Sequence, residues 1–258
     1  MTPCGFAAAL CVAAFSSAVP AQAGERLDAI KARGTLLVGT TGDYKPFTFR
    51  RDDGTYYGAD IVMADRLARR LGVAVQFVPT TWPTMSSDFT AGRFDVVMGG
   101  VSVLPSRAAK GPFSTTTYVD GKVPVARCAD QDRFTSLEAI DQPGVRVVVN
   151  PGGTNADFVR ANIKHATLTV HRDNTTVFDE IVANRADVMI TDGIEAKHQA
   201  LINPALCPAH VPAAFTRLEK AYWIQDDPDL VREIDALVET AIKDGEWTRI
   251  LAEAQKMP

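Results

Sequence analysis

Residues 60–78, DIVMADRLARRLGVAVQFV, decide the fold. Ile61, Ala64, Leu67, Ala68 and Leu71 recur at helical spacing on one face, and residues 73–78 then read as the apolar run of a strand. Gly72 stands between them, where a residue free to turn left-handed ends a helix. The same alternation continues in both directions. Leu36-Leu-Val-Gly reads as a strand, and residues 94–98 as another that ends in Gly99-Gly100. A second series follows, with a strand at 145–149, a helix opening near Asn155, and a strand near Leu168. A helix from about Thr175 to Ala183, a strand at 188–190 and a helix from Gly193 complete it. Near the C-terminus Leu230, Ile234, Leu237, Val238 and Ala241 share one face of a long helix. Short apolar runs alternating with amphipathic stretches predict an α/β protein whose sheets are mixed and mostly parallel, flanked by helices.

The two series predict two lobes with the tail returning to the first: residues 24–122 plus 220–258, and residues 123–219. The crossings fall near Lys122-Val-Pro and Lys220-Ala-Tyr, extended segments beside a change of pattern. Ligands of open α/β sheets sit beyond the carboxyl ends of strands, so the cleft between the lobes is the place to look for a site.

Composition narrows the function. With 258 residues, 46% hydrophobic and 22% charged, the chain is of ordinary globular make-up, which excludes disorder, collagen and coiled coil. A net charge of −4 without any Lys/Arg block gives no footprint for nucleic acid. The uncharged run from Phe6 to Ala23 ends in Ala21-Gln22-Ala23 and reads as a cleaved secretory signal over residues 1–23, although Met1-Thr-Pro-Cys lacks a basic residue. Export to the periplasm follows, and no later stretch predicts a membrane anchor. Cys128 and Cys207 are then an even pair in an exported chain, for which a disulfide is the default and a metal or redox site the alternative. His165, His171, His198 and His210 show no helical pairing at metal-ligand spacing, so no metal site is expected.

Several spaced motifs carry a resemblance. Gly39-Thr-Thr-Gly-Asp-Tyr-Lys-Pro-Phe, Gly58-Ala-Asp-Ile-Val-Met-Ala, Met98-Gly-Gly-Val-Ser-Val-Leu-Pro-Ser-Arg107 and Phe113-Ser resemble the family 3 periplasmic solute-binding proteins. The likeness covers the whole chain after residue 23. It implies the type II two-lobed periplasmic-binding-protein fold with the ligand cleft between the lobes. Within that superfamily, Thr81-Trp-Pro, Asp120-Gly-Lys-Val-Pro, Val149-Asn-Pro-Gly-Gly-Thr-Asn, Thr191-Asp-Gly-Ile-Glu-Ala and Glu219-Lys-Ala-Tyr are similar to a narrower group, the cyclohexadienyl dehydratases. That likeness implies a cofactor-free enzyme taking prephenate to phenylpyruvate and arogenate to phenylalanine. The rival reading is a receptor that delivers a polar amino acid or small carboxylate to a transporter, since one fold hosts both.

The candidate site residues have chemical reasons beside the likeness. Arg107 offers a planar donor fork which, with the Ser102 hydroxyl and the amides near Gly100, suits a carboxylate; the alternative is a solvated surface arginine. Gly153, Thr154 and Asn155 open a helix after a strand and offer a second anion nest, or simply a capped turn. Tyr44 and Trp82 supply flat apolar walls for a ring, with Phe47 nearer to core packing. Asp192 and Glu195 have the spacing of a capping box. The resemblance instead implies that Asp192 pairs with a ligand ammonium and that Glu195 is the general acid protonating a departing hydroxyl. Asn150 and Lys122 match the same pattern and would hydrogen-bond the hydroxyl and balance carboxylate charge; a turn Asn-Pro and a surface lysine are the alternatives.

Overall fold

The computed structural model describes residues 24–257, so the signal reading lies outside the described residues. The first lobe opens with α1 (Glu25–Arg33), β1 (Thr35–Thr40) and the small antiparallel strands β2 (Asp43–Tyr44), β3 (Thr48–Arg50) and β4 (Tyr56–Tyr57). It continues through α2 (Ala59–Leu71), β5 (Ala74–Pro79), α3 (Met85–Thr90), β6 (Val96–Val97) and α4 (Pro105–Ala108). After β7 (Tyr118–Asp120) come β8 (Lys122–Arg127), α5 (Leu137–Ile140), β9 (Arg146–Val149) and α6 (Gly153–Asn162). Next are β10 (Thr167–Val170), α7 (Asp179–Val182), β11 (Val188–Asp192), α8 (Gly193–Ile202) and β12 (Leu206–Pro208). The chain ends with β13 (Leu218–Lys220), β14 (Trp223–Ile224), α9 (Pro228–Lys243) and α10 (Glu246–Ala254). No helix of the described residues is long and apolar enough to cross a membrane.

Two sheets result. The first has the order β14-β6-β1-β5, parallel except where β14 joins β6 antiparallel. The second has the order β10-β9-β11-β8-β12, parallel at its β10-β9-β11 end and antiparallel at the β8 and β12 end. β7 and β13 pair antiparallel and carry the chain from one sheet to the other.

The opening stretch folds as its pattern requires. Ile61, Ala64, Leu67, Ala68 and Leu71 are all buried, and Gly72, left-handed at φ 71°, donates its N–H to Ala68 and Arg69 carbonyls to end α2. Residues 147–149 are apolar throughout because β9 is covered on both faces there. Val147 and Val149 meet Ala156 and Val159 on one side, while Val148 meets Val177, Phe178 and Ile181 on the other. The tail returns to the first lobe, where Leu230, Ile234, Val238, Trp247 and Leu251 pack with α2 and β1. Asp227 fixes that return: one oxygen accepts from Asp229 and Leu230 N–H to cap α9, and the other accepts from Arg26 and Leu27 N–H at the start of α1.

Two expectations change. Residues 175–178 are turn rather than helix, leaving α7 only four residues long, because Asp173 takes the Thr175 N–H and hydroxyl at 2.8 and 2.7 Å and holds the segment as a turn. The strand expected over 94–98 is reduced to Val96–Val97, the stretch that pairs with both β1 and β14.

Cys128 and Cys207 form a disulfide that ties the turn after β8 to β12 across 79 residues. Closing a loop of that length stabilises by up to about 4 kcal/mol in the chain-entropy model. The Cys128→Ser, Cys207→Ser variant is therefore expected to lose roughly 2–4 kcal/mol in denaturant titrations, whereas unchanged stability would make the bond incidental.

Candidate active site

The cavity is assembled at strand ends. In the first lobe the chain leaves β6 through Gly99 and Gly100, whose N–H groups donate to one oxygen of buried Asp60 at 2.9 and 2.7 Å. Gly100 has a left-handed φ of 69°, and a Cβ there would stand 2.5 Å from the Tyr44 and Phe47 rings, so only glycine lets the aromatic wall lie against this loop. Tyr222 donates to the other oxygen of Asp60 at 3.1 Å, and burial raises that carboxyl to about 6. Residues 101–103 then run beside the crossing strand: Val103 donates to the Glu219 carbonyl, Ala221 donates to Val101, and Ser102 lies opposite Lys220.

Arg107 sits in the short helix that follows. It is only 8% exposed, donates to the Ser102 carbonyl at 2.9 Å, and forms no ion pair among the described residues. Burial lowers its pKa to about 10. A buried guanidinium without a counter-ion is costly, and an incoming carboxylate repays that cost. The solvated-surface alternative does not hold.

Strand ends of both lobes supply a buried charge cluster. Lys122, first in β8, lies directly opposite Asp192, last in β11, and donates to its Oδ1 at 2.7 Å. Lys220 donates to Oδ2 at 2.6 Å, and the Tyr44 hydroxyl donates to the same oxygen at 2.5 Å. Burial pulls Asp192 up, but the two ammonium groups and their hydrogen bonds outweigh it and hold the carboxyl well below the usual range. Lys122 also reaches the Thr154 hydroxyl at 2.9 Å and the Asn155 side-chain oxygen. Asn155 in turn donates to Asn150 at 3.2 Å and to the Thr191 hydroxyl at 3.1 Å.

The capping box is not formed. Asp192 is the N-cap of α8 by position, yet its side chain makes no cap bond. Asp120, on β7, takes that role by accepting from Gly193 and Ile194 N–H at 3.1 and 2.9 Å. Both tetrad carboxylates are thereby released for other work. Glu195 turns back along β11 and accepts from the Thr191 hydroxyl. It is 3% exposed, and burial, with the charges of Asp192 and Asp43 adding, raises its pKa to about 8 against the pull of Thr191 and Lys122. At neutral pH it is a protonated acid.

All nine predicted binding residues (Tyr44, Trp82, Gly100, Ser102, Arg107, Gly153, Thr154, Asn155 and Asp192) and Asn150 line one cavity. Lys220 and Asn174 complete it. Lys122 and Glu195 do not line it: Lys122 donates to Asp192 from β8, and Glu195 faces a neighbouring cavity with Asp43, Lys45 and Gln199 that shares Asn174 with the first. The lobes are closed over the site by Tyr44 on Asp192 and by Asn174, which donates to the Asp43 carbonyl at 2.8 Å. Trp82 is fixed by its indole N–H on Asp43 at 3.0 Å and meets the Tyr44 ring edge-on at 5.7 Å. Sequence reasoning gave no role to Lys220, Asp60, Asn174 or Thr191. The available signal for Lys220 was its place in the Glu219-Lys-Ala-Tyr motif at the expected crossing between lobes.

Residues 36–254 match the family model of the bacterial extracellular solute-binding proteins, family 3. The chain belongs to this family. Within family 3 it is 45% identical to the cyclohexadienyl dehydratase of Pseudomonas aeruginosa over 91% of this chain and 88% of that protein. It is 30% identical to the L-cystine-binding protein TcyJ of Escherichia coli K12, over 85% of this chain and 82% of that one. A crystal structure of an ancestral amino-acid-binding protein, described as a precursor of cyclohexadienyl dehydratase, superposes with a TM-score of 0.81 at 34% identity, covering 89% of this chain and 99% of that one. Two of these family 3 relatives are thus named for the small molecules they bind, L-cystine and amino acids.

Proposed function

We propose that this chain is a cofactor-free cyclohexadienyl dehydratase, working in the periplasm to convert prephenate to phenylpyruvate and arogenate to phenylalanine. One observation carries the reading: Glu195 is a buried carboxyl with its pKa raised to about 8, set beside a cationic cavity. Transport needs no such acid. Lys122 and Lys220 both pair with Asp192, and Arg107 lines the same cavity outside any ion pair, so the surroundings suit a dicarboxylate. The identity to the Pseudomonas enzyme supports the same conclusion.

The roles follow from position. Arg107, Ser102 and the Gly100 loop hold one carboxylate, and the Gly153–Thr154–Asn155 turn with Lys122 holds the other. Tyr44 and Trp82 flank the ring, and Asn150 hydrogen-bonds the hydroxyl. Hydroxide is a poor leaving group, so Glu195 delivers its proton to the ring oxygen as the C–O bond breaks. The ring carboxylate leaves as CO₂, and its bonding pair completes the aromatic ring. For this the Glu195 carboxyl leaves Thr191 and reaches past Asn155. The lobes implied are residues 24–122 plus 220–258, and 123–219, with β7 and β13 as the crossing strands.

Purified protein incubated with prephenate should release phenylpyruvate and CO₂ in equal amounts; no release, with tight binding of an amino acid, would return the chain to the receptor class. Arg107→Ala should weaken phenylpyruvate binding by roughly 2–5 kcal/mol, the range for truncating one partner of a buried charge pair. An unchanged dissociation constant in calorimetry would remove Arg107 from the site.

A further inference from the structure

The cavity has one acidic lining residue among those described, and three donors already hold it. Asp192 accepts from Lys122 at 2.7 Å, Lys220 at 2.6 Å and the Tyr44 hydroxyl at 2.5 Å. A carboxylate offers about four lone-pair directions, of which three are taken. Lys122, Lys220 and Asp192 are all buried, at 0%, 1% and 3% exposure, so water screens these charges little. Lys220 is placed there by the chain crossing: its segment pairs with residues 101–103, and its ammonium reaches the Ser102 hydroxyl at 3.2 Å and lies 5.1 Å from the centre of the Tyr44 ring. It lines the cavity itself, whereas Lys122 does not.

An α-ammonium entering this cavity would be the third cation around a single carboxylate, and its nearest neighbour would be another ammonium. A carbonyl oxygen at the same place would instead meet the Lys220 donor. We infer that Lys220 is a specificity-determining residue which converts the Asp192 wall from an ammonium acceptor into a cationic donor surface, so that the site selects 2-oxo acids over 2-amino acids of the same carbon skeleton. The turnover part of this inference, prephenate over arogenate, rests on the dehydratase reading. The binding part does not.

The test compares phenylpyruvate with L-phenylalanine in calorimetry on the folded wild-type protein and on Lys220→Gln. Wild type should bind the 2-oxo acid at least tenfold more tightly, and Lys220→Gln, which leaves only the Tyr44 hydroxyl on that Asp192 oxygen and removes a charge, should narrow that ratio by tenfold or more. Equal or reversed affinities in wild type would overturn the inference, as would an unchanged ratio in a Lys220→Gln protein that melts like wild type. If Lys220→Gln does not fold, the wild-type kcat/KM for prephenate against arogenate decides: tenfold or more in favour of prephenate supports the inference, and parity overturns it. Absence of all turnover would count against the dehydratase reading while the binding ratio still judged the role of Lys220.

Discussion

Glu195→Gln is expected to bind prephenate with wild-type affinity and to turn it over about 10² to 10⁴-fold more slowly, the usual contribution of a general acid. Glutamine keeps the shape of the side chain and can still accept from Thr191, the partner Glu195 has in the fold. Because burial already holds Glu195 neutral at pH 7, the substitution exchanges one uncharged buried group for another, and thermal stability should change little. A capping role predicts no loss of turnover, and the geometry removes that role: α8 is capped by Asp120, not by the tetrad. Measuring kcat and the prephenate dissociation constant side by side separates the two. A fall in kcat without a fall in affinity assigns the loss to the chemical step.

Asp192→Asn should be among the most destabilising single changes in the protein. It leaves Lys122 and Lys220 buried without the carboxylate that neutralises both, and breaking a buried pair by removing one partner costs about 3–5 kcal/mol. The pH dependence has a definite sign. Burial already lowers the Lys122 pKa, and without Asp192 nothing equivalent opposes that pull. The folded variant then binds fewer protons than its unfolded chain over a wide range, so its stability rises with pH and its deficit against wild type shrinks toward alkaline pH. Denaturant titrations at several pH values would show this; a deficit independent of pH would mean that the lysines keep their charges without Asp192.

The parts of the fold that sequence made legible are those where one segment carries its own signal. The 60–78 stretch encodes a helix, its Gly72 stop and the following strand within nineteen residues, and all three form. Residues 147–149 announce burial on both faces by being continuously apolar. The crossing strands are only three residues each, too short for a period, and their pairing joins positions about a hundred residues apart in sequence. Lys220 was missed for that reason: its neighbours Ser102 and Asp192 arrive from other segments, and lysines are almost never fully buried unless paired. The Asp192-Gly-Ile-Glu195 tetrad shows the same limit. Its spacing favours a capping box, and that reading was overturned by Asp120, which lies far earlier in the chain. Arg107 was legible as a residue type suited to carboxylates, but its burial without an anionic partner belongs to the packed fold.

The central claim is that a protonated, buried Glu195 makes this binding-protein scaffold an enzyme, and the pH profile of kcat/KM for prephenate tests it most directly. That ratio reports the titration of the free protein, in which Glu195 has a pKa of about 8. The protonated form is the active one, so kcat/KM should be level below that pH and fall tenfold per unit above it, with the limb absent from any residual activity of Glu195→Gln. No detectable phenylpyruvate at any pH, or a rate that rises through pH 8, would contradict the account.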